Sequence, residues 1–175
     1  MSQQWRTQRP GDDEHAAYYA GYVAAAPDGD LVDGMTAQGT RIAAMLRGIA
    51  ESRGGHRYAE GKWSIKDVAL HVSDAERVFS YRLLRFARGD ATNLAGFDEG
   101  PYVQHGGADA RSLVDLAEDF AAVRRATLSL ITPLDDEAMA RRGLANNNPV
   151  SARALAWITA GHAEHHARIL RERYL

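Results

Sequence analysis

The chain has 175 residues, 45% apolar and 25% charged, which suits one globular domain with a real hydrophobic core and argues against disorder or a fibrous architecture. A formal charge of -2, with lysine and arginine scattered along the chain, offers no basic stripe for a phosphate backbone, so no nucleic-acid partner is expected. Cysteine is absent, which removes disulfides, thiolate ligands and a cysteine nucleophile together, so any metal must be held by His, Asp or Glu.

The first residues, MSQQWRTQRPGDDEH, contain no apolar signal region, and no later stretch approaches the roughly 18 uncharged apolar residues of a membrane span. No membrane partner and a cytoplasmic address are therefore expected. Residues 1–13 are polar and include Pro10-Gly11, so they are expected to form a flexible arm, with the domain covering 14–175. The stretch EHAAYYAGYVAAAP, from Glu14 to Pro27, is weakly helical and Tyr-rich and is expected to pack across the rest.

Four long segments then carry helical periodicity, separated by stretches rich in Gly, Pro, Asn and Asp, and no strand pattern stands out. The first starts near Asp30, places Leu31, Met35, Gln38, Ile42, Met45 and Ile49 on one seam, and ends at the glycines of SRGG. The second has the clearest start: Ser64 can cap, Asp67 can close a capping box and Trp63 can staple onto Val68, giving a helix to about Arg88.

A connection from Gly89 to about Arg111, containing GFDEGPYVQHGG, is too long for a simple turn. Asp98 and Tyr102 within it are candidates to touch a substrate, because long ordered loops often carry function, although a loop aromatic is as often just an anchor for the loop. Ser112 and Asp115 form another capping box, and Leu113, Leu116, Phe120, Val123, Leu128 and Ile131 make a core face up to Pro133. The turn region DDEAMARRGLANNNP leads to a fourth helix capped by Ser151, with Val150 and Leu155 in staple positions. The expected fold is all-α: a four-helix bundle with a long crossover loop between the second and third helices and an N-terminal helical arm.

The fourth helix holds GHAEHH, where leucines would be ordinary. At 100° per residue His162 lies in the middle of the stripe of Leu155, Ile158 and Ile169, with His166 roughly 40° to one side and His165 roughly 60° to the other. A histidine pair at i and i+4 lets two imidazoles meet one cation, although an isolated pair is more often a hydrogen-bonded core feature. His71, on the border of the apolar face of the second helix, offers a third ligand across the bundle.

Three imidazoles from two helices would leave a coordination position open, as catalytic rather than closed structural sites do. The segment is not HExxH, since Glu164 lies roughly 200° around the helix from His162 and is expected to face solvent or a partner. No general base is identified. Asp74 is a candidate to orient an imidazole, with an ordinary solvated charge the favoured alternative, and His165 is a reserve or supporting residue. Arg82 lies in the apolar stripe and either pairs with a buried acid or points into a pocket; His56 and His105 lack partners at ligand spacing and are expected to be exposed.

The segments YAEGKWSIKDVALHVSDAERVFSYRLLRFARGD, SLVDLAEDFAAVRRATLSLI and PVSARALAWITAGHAEHHARILRERYL closely resemble the DinB-like superfamily, in particular its YfiT-like branch. The resemblance runs from about Tyr18 to Tyr174. It implies a four-helix bundle holding a divalent metal by one histidine of the second helix and an H-x-x-x-H pair of the last, which correspond to His71, His162 and His166. Members with assigned activities resemble thiol-dependent S-transferases or isomerases, and others carry a hydrolase label.

The resemblance therefore implies a metal-dependent enzyme that transfers a low-molecular-weight thiol to a small electrophile, the metal stabilising the thiolate. A metal-dependent hydrolase is the enzymatic alternative, and a non-enzymatic, metal-stabilised dimeric binding protein is the alternative of another class. Zinc and nickel are the favoured cations among those three imidazoles suit. Homodimerisation is an expectation from the resemblance.

Overall fold

The computed structural model describes residues 2–175. The short helix α1 (Ala20–Ala25) is followed by α2 (Leu31–Gly48), α3 (Ile65–Ala87), α4 (Glu99–His105), α5 (Leu113–Ile131), α6 (Asp136–Ala140), strands β1 (Arg142–Ala145) and β2 (Asn148–Ser151), and α7 (Ala152–Ile169), which runs on into a π-helical turn to Tyr174. The long helices α2, α3, α5 and α7 form the bundle, α2 lying against α5 and α3 against α7, while α1 packs along α7. Among the described residues no helix is long and apolar enough to cross a membrane.

Local caps set the bundle helices. The Asp30 carboxylate accepts from the amides of Val32 and Asp33 at the start of α2. Ser64 and Asp67 close a reciprocal capping box on α3, at 3.1 and 2.9 Å. Ser112 and Ser151 accept from the amides of Asp115 and Ala154 to start α5 and α7. Each satisfies an amide that the helix cannot pair internally.

Two buried apolar clusters fill the bundle. One gathers Met35, Phe79, Leu83, Phe86, Leu155 and Ile158, the other Ile42, Leu46, Ile65, Val68, Phe120 and Ala163. Between them, at one level, α2, α3 and α5 contribute the buried polar residues Gln38, Glu76 and Arg124. Arg124 donates through Nε and Nη2 to the two Glu76 carboxylate oxygens, both at 2.8 Å, and through Nη1 to Gln38 Oε1 at 2.8 Å and the Met35 carbonyl at 3.0 Å. The amide of Gln38 then donates to the Ala160 carbonyl and to Glu164, tying α7 to the same layer.

Three expectations are corrected. Residues 2–13 are not a loose arm: Trp5 is 1% exposed, donates to the Leu134 carbonyl at 2.9 Å, and accepts from the Trp157 indole at 3.2 Å. The Asp136 carboxylate accepts from the Trp5 amide, and Glu14 accepts from Ser151 beside the start of α7. One buried aromatic with satisfied polar neighbours outweighs the polar composition around it.

The stretch read as a turn region contains an antiparallel hairpin, β1 pairing with β2 from Arg142↔Ser151 to Ala145↔Asn148. Its turn places Asn146 and Asn147 at φ 53° and 59°, a left-handed conformation that asparagine tolerates and that suits a two-residue hairpin. Strands of four residues are too short for alternation to show. The crossover is also structured: Leu94 bridges to the hairpin, and α4 settles on α3 at Gly106, where a Cβ would come within 2.7 Å of Leu70.

Candidate metal centre

His71 on α3 and His162 and His166 on α7 converge, one nitrogen of each lying within 4.8 Å of the others. The Nε2 atoms of His71 and His162 are 3.1 Å apart. Nitrogens about 2.0–2.1 Å from one tetrahedral cation would stand about 3.3 Å apart, so this donor pair fits a shared metal. His71 and His162 are buried, at 7% and 6% exposure.

Burial holds the imidazoles in the neutral state that ligation requires. It lowers the His71 pKa to about 4, against the opposing charge of Glu99. Burial, with His71 and His165 nearby, lowers His166 to about 3. His162 is driven well below its ordinary value by burial first and by its histidine neighbours second. Removing an imidazolium from water is costly without an anion to pair with it, whereas a neutral ring presents a lone pair.

Aromatic rings fix these side chains. The Trp63 ring lies 4.7 Å from His71, Tyr22 lies edge-on 5.3 Å from His162, and Phe79 lies 5.7 Å from His162. Tyr22 reaches the site because α1 packs closely on α7 at Gly161, where an added Cβ would fall 1.7 Å from the Tyr22 carbonyl oxygen. Trp63, considered only as a staple from the sequence, is thus also a wall of the site.

The triad lines an open cavity of about 350 Å³, shared with Tyr19, Arg82, Phe97 and Glu99. Glu99 is the carboxylate residue in this lining. It comes from α4 in the crossover, and its sequence carries no periodic or motif signal that would have singled it out. Of the two loop residues considered earlier, Asp98 caps α4, accepting from the Gly100 amide at 3.0 Å, and Tyr102 is exposed beside Phe97.

The supporting candidates divide. Arg82 is buried and lines the cavity, donating through Nη2 to the Ala95 carbonyl at 2.8 Å. His165 sits at the edge, 5.3 Å from the Tyr22 ring and outside the converging group. Asp74 pairs with Arg77 at 3.0 Å and has no hydrogen bond to His71 among the described residues. Glu164 faces away from the cavity, held by Gln38, Arg41 and Arg171. His56 and His105 are exposed.

Fold and site together define a four-helix bundle with a histidine-lined candidate metal centre between two facing helices. The model of the DinB superfamily matches residues 35–170, and the chain belongs to that superfamily. Among solved structures it is similar to YfiT from Bacillus subtilis, with 12% identity and a TM-score of 0.70, covering 97% of this chain and 95% of that one. YfiT is described as a probable metal-dependent hydrolase with an unusual four-helix bundle topology; at this identity the likeness establishes the fold. No curated protein matches the chain.

Proposed function

We propose that the chain is a metal-dependent enzyme acting on a small molecule, with His71, His162 and His166 as the ligands of a divalent cation such as zinc or nickel. The observation that carries this reading is the convergence of three buried imidazoles at the wall of an open cavity, with no fourth protein ligand in the group among the described residues. A closed structural site would supply that fourth ligand. A bound cation supplies Lewis-acid polarisation and lowers the pKa of the water or thiol that occupies its free position.

Hydrolysis is the first reaction that the chain's own groups can support. Glu99 brings a carboxylate to the lining of the same cavity, and its charge opposes the lowering of the His71 pKa. Its carboxylate oxygen is the acceptor for the proton a water nucleophile must lose. Tyr22 and Trp63 wall the triad.

Thiol transfer is the second reading, supported by a cavity with room for more than a water nucleophile. With no cysteine in the chain, the thiol would arrive with a cosubstrate. There Glu99 would accept the thiol proton.

The test begins with metal content by elemental mass spectrometry on untagged protein, beside His162→Ala. About one metal per chain, lost in the variant, supports the site; a chain that cannot be loaded overturns the enzyme reading. Metal-loaded protein is then assayed on aryl esters and, separately, on 1-chloro-2,4-dinitrobenzene with a panel of small thiols. Ester turnover that falls in Glu99→Gln selects hydrolysis, and thiol-dependent turnover of the chloroarene selects transfer.

A further inference from the structure

Two arginines are fully embedded in this bundle, and they are treated differently. Arg124, 2% exposed, is matched oxygen for nitrogen by Glu76. Arg82, 4% exposed, pairs with no carboxylate among the described residues. Its Nη2 meets the neutral Ala95 carbonyl, and its guanidinium faces the Phe97 ring at 5.7 Å. The Tyr19 hydroxyl is also beside it, and burial keeps that phenol neutral, so none of the three partners cancels the charge. A guanidinium stays protonated at any physiological pH, and a buried cation without an anion is unfavourable unless something else supplies one.

Arg82 borders two cavities, an outer one on the side of Ala95 and Tyr102 and the cavity of the triad, and only the second also holds the metal-ligand set. His71, Ala75, Phe79 and Arg82 follow one line along α3, and all four line that cavity. Ala75 leaves room between the ends of the line, and Phe79 gives it an apolar floor. The Cα atoms of His71 and Arg82 are roughly 16 Å apart along the helix axis, and long helical side chains lean back toward the N-terminus, which shortens the gap. The cavity is thus polarised, with a metal-ligand set at one end, a fixed planar cation at the other, and aromatic surface between.

Resting on the metal-centre reading for the other end of the cavity, we propose that Arg82 is the anion-binding residue of the site and that the substrate is a small carboxylate with an apolar body. The carboxylate would sit on the guanidinium, leaving the remainder to extend toward His71, His162 and His166. A carboxylate is favoured over a phosphate by the charges present. The lining provides one arginine and no lysine, while Glu99 adds a negative charge, so a dianion would be left incompletely balanced.

The inference is tested by titrating metal-free protein with 3-phenylpropionate and, separately, with its neutral amide, following binding by ligand-observed NMR. Removing the metal is essential, because a carboxylate could otherwise ligate the cation. The acid is expected to bind about tenfold or more tightly than the amide, and Arg82→Gln is expected to abolish that preference. Equal binding of acid and amide, undiminished preference in Arg82→Gln, or no saturable binding of the acid overturns the proposal. Tighter binding of 2-phenylethylphosphonate than of the acid overturns the carboxylate assignment.

Should Arg82→Gln fail to fold, Arg82→Lys is decisive: it keeps the charge and loses the planar fork, so a reduced but measurable preference is expected. An unchanged preference counts against the proposal. Repeating the titration in His162→Ala separates the two readings. If the metal reading fails, the Arg82-dependent preference persists; if the anion inference fails, metal loading of the wild-type chain is unaffected.

Discussion

The Nε2 atoms of His71 and His162 stand 3.1 Å apart although 91 positions separate them in the chain. The contact joins α3 to α7 beside His166, so a cation bound there would cross-link the folded state and not the unfolded one. Saturating zinc is expected to raise the unfolding free energy by about 2.7 kcal/mol at a hundredfold excess over Kd. His71→Ala should abolish the increment while leaving a folded chain, as measured by urea titration with and without metal. An equal zinc effect in the variant would refute the assignment.

Stability of the metal-free protein should fall with acidification. His71 and His166 are held at about 4 and about 3, below the ordinary 6.5, so the unfolded chain takes up their protons first as pH drops. The folded state therefore loses stability progressively from about pH 6.5 downward, and this contribution levels off below the folded values. In a triple variant with His71, His162 and His166 replaced by Gln, the slope of unfolding free energy between pH 6.5 and 4.5 should be shallower. Superimposable slopes would count against buried neutral imidazoles.

The Glu76–Arg124 pair is buried at both ends, each side chain 2% exposed. Glu76→Leu leaves a guanidinium in the core without its anion and should cost about 3–5 kcal/mol in urea unfolding. Combining it with Arg124→Met should recover much of that loss, because the uncompensated charge goes too. A single variant within about 1 kcal/mol of wild type would show that the pair is not desolvated as described.

Gly161→Ala places a Cβ 1.7 Å from the Tyr22 carbonyl oxygen, and backbone cannot yield there as a flexible side chain would. The expected outcome is displacement of α1 from α7, with a loss on the order of 1–3 kcal/mol or more. Tyr22 would leave His162, so faster hydrogen exchange across Ala20–Ala25 should accompany the loss. Unchanged exchange would contradict the close approach.

Trp5→Ala should cost about 3–5 kcal/mol, the range for deleting a large buried aromatic, and calorimetry should show it as one cooperative transition at lower temperature. A negligible shift would mean that residues 2–13 contribute little to the core.

The starts of the four bundle helices were legible because Asp30, Ser64, Ser112 and Ser151 act on amides two or three residues away, where sequence distance and spatial distance coincide. The same locality places His162 and His166 on one face of α7, since helical geometry alone sets their relation. His71 was reachable as a candidate through its position on the apolar border of α3 and the family resemblance, while its 3.1 Å approach to His162 is a product of packing.

Tertiary structure decided the rest. Trp5 sits in a polar stretch whose burial depends on Leu134 and Trp157, more than 120 positions away. Glu99 and Arg82 share a cavity because the crossover is tethered to the hairpin at Leu94 and folds over α3. The sequence determined helices and their faces, which depend on neighbours three or four residues apart. Which faces meet, which charges find partners and what is left to face the cavity depend on contacts between distant residues, whose energies no local pattern records.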